Sequence, residues 1–207
     1  MAFVGKYRDL VSKDVRGEAY SPPEPLDARV VDHYKREFER IRGTLGITAD
    51  EILSKRGLIG SDKVWEALRY FIGWKFLNHL LITETENMIS ACYELKAEVS
   101  NGGFHQYFFN SSGDRWPFVL KLLTEGDDAE GSRMFKEVLT IFPNGEPSVD
   151  RGERWQQLDE IRAKDEKGMW AHFDKYTDEF YRNPFPNEKT FWSVIETRKS
   201  DINMVWA

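Results

Sequence analysis

The chain has 207 residues, 41% hydrophobic and 14% aromatic, which is enough to bury a sizeable core. Its net charge of −6 excludes a bulk basic field for direct contact with nucleic acid, and its single cysteine, Cys92, excludes an intrachain disulfide. The N-terminus mixes charges of both signs without an apolar h-region, and the most apolar run, "YFIGWKFLNHLLI", is broken by Lys75, Asn78 and His79. The expectation is a soluble, cytoplasmic protein with neither signal peptide nor membrane span.

Residues 1–25 end in "SPPEP", where Pro22, Pro23 and Pro25 impose an extended arm or linker. From Leu26 to Arg42, Val30, Val31, Tyr34, Phe38 and Ile41 recur at helical spacing. Thr48 with Glu51 forms a capping box for the next short helix. A longer helix is predicted over 62–81, with Val64, Leu68, Phe71, Ile72, Lys75 and Leu80 distributed for burial on most sides. Thr83 or Thr85 caps a helix whose core-facing stripe is Ile89, Cys92, Tyr93, Lys96 and Val99, and Asn101-Gly102-Gly103 stops it.

Four further helices are predicted over 115–124, 128–142, 150–163 and 165–182. Asp114 is read as the cap of the first, with Pro117 in its first turn, and Asp150 with Glu153 as a capping box before the third. "NPFPN" at 183–187 breaks the chain before a last helix that runs to the C-terminus, kinked near Ser200. No period-2 strand of useful length occurs. The fold class is therefore all-α, with about eight to ten helices and no significant sheet. It divides into an arm (1–25), N-terminal helices (26–72), a main helical domain (73–183) and a C-terminal helix (184–207).

Acidity is confined to the middle of the chain. Residues 73–183 hold 20 Asp and Glu against 13 Lys and Arg, a net of −7. An acidic partner-binding face is expected from Glu125, Asp127, Asp128 and Glu130 in "EGDDAE", together with Asp159, Glu160, Asp165, Glu166, Asp174, Asp178 and Glu179.

Motifs of known chemistry are absent. His33, His79, His105 and His172 show no metal-ligand spacing, and there is no phosphate loop, dinucleotide fingerprint or Gly-x-Ser-x-Gly elbow. No metal, cofactor or assigned catalytic residue follows, and Cys92, flanked by core-spaced residues, reads as inert.

One polar constellation remains, at "EVSNGGFHQYFFNSSGD": Glu98, Asn101, Gly102, Gly103, Phe104, His105, Gln106, Tyr107, Asn110 and Asp114, with Ser111 and Ser112. If 103–110 is helical, Phe104, Tyr107 and Phe108 share one face, and His105 and Phe109 another. Three readings stay open. The simplest is structural: the glycines let helices approach, the aromatics fill the core and the polar groups satisfy helix ends. The second is a ligand or partner groove. The third is an acid–base site at His105, oriented by Glu98 or Asp114. Arg151 and Arg154 are read as surface charges or as partners of Glu98 and Asp114.

That run closely resembles the signature of the C-terminal domain of the DNA mimic protein nineteen family, a bacterial domain of unknown function. "PSVDRGERWQQLDEI", with its Arg154, and "FDKYTDEFY" resemble later segments of the same family, so the likeness covers about residues 75–185. The resemblance implies an all-α domain that binds protein. In the founding member, surface carboxylates stand in for phosphates, and a dimer occupies the DNA-binding face of a transcription factor. It thus implies a non-catalytic binder, with a DNA-binding protein as partner and a homodimer as assembly. The alternative is an interaction or immunity-type protein with a mixed aromatic and polar interface, anchored by Trp192 or Trp206.

Overall fold

The computed structural model describes residues 28–46, 48–77 and 80–202. The proline-containing arm and Trp206 lie outside the described residues. The fold is all-α, with no strand among the described residues. Helix α1 (Ala28–Thr44) is followed by α2 (Ala49–Ser54), α3 (Arg56–Ile59) and α4 (Ser61–Leu77). Then come α5 (Glu84–Phe109), α6 (Trp116–Glu125), α7 (Ala129–Leu139), α8 (Arg151–Arg182) and α9 (Glu188–Thr197). Short 3-10 turns occupy Ser111–Arg115, Pro143–Gly145 and Lys199–Asp201.

Local chemistry sets most of the starts. Thr48 and Thr83 form complete capping boxes with Glu51 and Glu86, and Asp150 and Asn187 each accept a hydrogen bond from the third backbone N–H of their helix. Pro117 sits in the first turn of α6 as expected, but Asp114 does not cap it, because its carboxylate is held by Arg154. The last helix ends at Thr197, before the turn at Lys199–Asp201.

Helix α5 is the spine. Met88, Ile89 and Cys92 face one core cluster, shared with Phe38, Phe71, Ile72, Phe191 and Ile195 from α1, α4 and α9. Leu95, Val99, Phe104, Tyr107 and Phe108 face a second, shared with Phe135, Phe173 and Phe180 from α7 and α8. The boundary drawn between residues 72 and 73 falls inside α4, which packs directly on the spine, while α1 and α2 pack on α4 and share its core cluster. Lys75 and Glu86 join α4 to α5 by a fully buried ion pair at 2.6 Å. Two residues of the expected α5 stripe turn outward instead: Tyr93 is exposed and Lys96 half-buried. Cys92 is buried as read, which pushes its thiol up to about 12.

Candidate functional site

The Asn101–Gly103 segment does not end α5. It kinks it, with Gly102 at φ −164° and Gly103 at φ 73°, ψ −175°. The second conformation is open essentially to glycine alone. A kink frees backbone groups, and α8 supplies their partners. Tyr181 donates its hydroxyl to the Val99 carbonyl (3.0 Å), and the Phe104 N–H donates to Thr177 Oγ1 (3.1 Å).

Beyond the kink, the start of α8 holds the end of α5. Arg154 is fully buried. It donates to the carbonyls of Phe108 (2.7 Å), Asn110 (2.9 Å) and Ser148 (2.6 Å), and to Asp114 Oδ1 (2.5 Å). Trp155 Nε1 and Arg151 Nε both donate to the Phe109 carbonyl, at 2.6 and 3.4 Å. Three consecutive carbonyls that a helix end would leave orphaned are thereby satisfied. Arg154 is thus the partner of Asp114, as the second of its two readings had it, and a buried pivot, not a surface charge.

Glu98 ties the same corner from inside. Its carboxylate accepts from Gln106 Nε2 (2.7 Å), Asn110 Nδ2 (2.8 Å) and Ser112 Oγ (3.1 Å). Phe104, Tyr107 and Phe108 are fully buried, and burial raises the Tyr107 phenol well above its ordinary value, so it stays neutral. Asn101 and Gly102 are exposed.

The acid–base constellation does not assemble. Glu98 and Asp114 are engaged by other partners, and His105 faces away from the corner's interior polar groups. It packs against Trp170 at 4.3 Å between centroids, the rings tilted by 41°, and stacks on Phe109 at 5.9 Å. Burial, with Arg162 nearby, holds its imidazole below its ordinary proton affinity. Phe109 in turn stacks on Trp155 (5.2 Å), over which Arg151 lies at 4.5 Å. The result is a partly exposed row of rings across α5 and α8, which the sequence analysis did not anticipate. The i, i+4 spacing of His105 and Phe109 was its visible half. Trp192, by contrast, is buried against Phe191 and under Arg56, so it offers no exposed anchor.

Residues 81–197, more than half of the chain, match the family model described as DMP19-like protein. The chain belongs to the DMP19-like protein family. Neither a curated protein nor a solved structure matches it. The match to the DMP19-like family takes in α9 as well as the segments that resembled it.

In this DMP19-like chain the expected acidic residues differ in their freedom. Asp128 is buried: it caps α7 through the Gly131 N–H and accepts from Asn187. It therefore leaves the acidic face. Glu125 is bound by Arg198, Glu130 and Glu179 by Arg133, and Asp159 by Arg162. Asp165 sits at a kink within α8 (φ −156°, ψ 82°) and accepts from the Gly168 N–H. Asp127, Glu160, Glu166, Asp174 and Asp178 are exposed, and their carboxylates make no hydrogen bond or ion pair among the described residues. No helix among the described residues is long and apolar enough to cross a membrane.

Proposed function

We propose that this protein works by binding, not catalysis, and that it occupies a basic, DNA-binding protein partner through carboxylates presented on α8. Membership of the DMP19-like family supports a binding role of the DNA-mimic type. The observation that carries the finer reading is the second half of α8, beyond its kink. There Glu166, Asp174 and Asp178 share one outward sector with exposed Trp170 and Tyr181. Asp174 and Asp178 stand one turn apart, about 6 Å along the axis, and Glu166 about 12 Å before Asp174. Regular negative charge on a rigid helix is what a phosphate-binding surface reads at long range.

The test is capture of partners from a bacterial lysate on the purified chain, at about 50 and about 300 mM salt. The expected partner is a basic DNA-binding protein retained only at low salt and displaced by duplex DNA. It binds the Asp174→Asn/Asp178→Asn double variant more weakly. A salt-resistant partner that ignores DNA would remove the mimicry reading.

That outcome would favour the second reading, an ordinary mixed interface, to which the row Trp155–Phe109–His105–Trp170 gives a location. Under it, Trp170→Ala abolishes capture while the Asp174/Asp178 variant leaves it intact. A homodimer and a cytoplasmic location are carried with the proposal as its expected assembly and place.

A further inference from the structure

Among the described residues, the charged side chains buried in this fold are Lys75, Glu86, Glu98, Asp114, Arg115, Asp128 and Arg154. All but one are held by partners already named. Lys75 and Glu86 bind each other, Arg154 binds Asp114, Glu98 accepts from three side chains, and Asp128 caps α7. Arg115 is the exception. It is fully buried, and its Nε, Nη1 and Nη2 have no hydrogen-bond partner among the described residues.

The position of Arg115 makes this costly. It closes the 3-10 turn Ser111–Arg115, which packs on α5, so its side chain is enclosed between helices. Its guanidinium lies 5.1 Å from the ring centroid of Phe76 on α4. An aromatic face returns only part of what water gives a cation. Arginine cannot shed its proton to escape, and buried charges are as a rule paired. The two carboxylates of the signature corner are committed elsewhere, Asp114 to Arg154 and Glu98 to Gln106, Asn110 and Ser112. Two more buried donors of the corner are also unmet: Ser111 Oγ, at the other end of the same turn, and the Tyr107 hydroxyl, which burial keeps protonated.

A guanidinium offers five N–H donors in a planar fork and no acceptor, so the group that completes it is negatively charged and rich in acceptors. The side chain is closed to solvent, so that group is small and is not a side chain of a docked partner. We propose that a small inorganic anion is bound inside the fold on Arg115, between the Ser111–Arg115 turn and Phe76, and neutralises it. The proposal uses none of the carboxylates of the partner-binding reading and stands or falls apart from it.

The test is urea unfolding of the full chain at constant ionic strength, with gluconate, too bulky for an enclosed site, replaced stepwise by chloride, nitrate or phosphate. The midpoint is expected to rise with at least one of the three, and the steepest rise identifies the anion. Above its dissociation constant, each further tenfold of anion multiplies the folded-to-unfolded ratio by up to about ten. Arg115→Met is expected to lose that dependence, keeping only the general salt effect. In gluconate it should match or exceed the parent, because it removes an unpaired buried charge. The second measurement is diffraction from crystals of the parent grown in the selected anion, with bromide and its anomalous signal standing in for chloride. Anion density is expected about 3 Å from the guanidinium nitrogens. The proposal is overturned if no anion raises the midpoint more in the parent than in Arg115→Met, or if only water occupies the guanidinium edge in the crystals. Should Arg115→Met fail to fold, diffraction from the parent decides alone.

Discussion

Arg154 is the single residue on which the signature corner depends most. It is fully buried, it satisfies three carbonyls, and it neutralises Asp114. Replacing it with Met leaves a buried carboxylate without its counter-charge, which costs about 3–5 kcal/mol. Arg154→Lys is expected to rescue little, because an ammonium lacks the planar fork that reaches four acceptors at once. Urea unfolding midpoints measure both. The two glycines are not equivalent. Gly103→Ala costs about 1–3 kcal/mol, since its φ is hostile to a side chain and a Cβ would meet Thr177 Oγ1 at 2.8 Å. Gly102→Ala carries no backbone strain, since its φ of −164° is ordinary extended backbone, but its Cβ would press on Gln106, whose Cβ lies at 3.1 Å and whose amide Glu98 holds, so its cost is the loosening of that tie. His105 sets a pH signature. Its folded-state proton affinity is below the ordinary value of 6.5, so on acidification the unfolded chain takes up the proton first. Stability tied to this group is present above pH 6.5 and declines as pH falls below it. A His105→Phe variant should lose that part of the acid limb in unfolding midpoints measured from pH 7.5 to 5. An unchanged limb would show that the stacked imidazole is not what titrates.

At the scale of elements, the kink in α5 persists because α8 provides what the broken ladder lacks. Thr177→Val and Tyr181→Phe each remove one hydrogen bond to a freed backbone group and should each cost about 1 kcal/mol. Hydrogen exchange should quicken at Phe104 in the first variant without general loss of protection. Equal protection in mutant and parent would mean that the kink holds itself. These contacts also mark where sequence reading reached its limit. The caps Thr48, Thr83 and Asp150 were legible because partner and cap lie three residues apart. Gly103 was read as a helix stop because the groups that let the helix resume lie 73 and 82 residues away. Of the two readings of Arg154, a surface charge or a partner of Glu98 and Asp114, the pairing with Asp114 holds, but its grip on the carbonyls was not legible for the same reason, Phe108 being 46 residues upstream. Lys96 and Tyr93 carried core spacing, yet spacing cannot say that the wall opposite them on α4 stands back to form a groove.

For the whole molecule, two clusters back onto one spine, so the family-matched segment is expected not to be self-sufficient. Cutting the chain to residues 81–197 would expose Met88, Ile89, Leu122, Phe191 and Ile195, and would strand Glu86 without Lys75. The fragment is expected to unfold at lower urea than the full chain, or not to fold at all, whereas the full chain should show one cooperative transition. A fragment as stable as the parent would make the N-terminal helices an accessory. The clamp of α8 on α5 has a consequence for how the chain is made. The carbonyls of Phe108 and Val99 leave the ribosome 46 and 82 residues ahead of the side chains that receive them. At about 5–20 residues per second, the corner waits several seconds for its own lock. During that interval a ring-rich, half-closed helix is open to whatever holds nascent chains, and the family signature, for all its early place in the sequence, closes only once α8 has emerged.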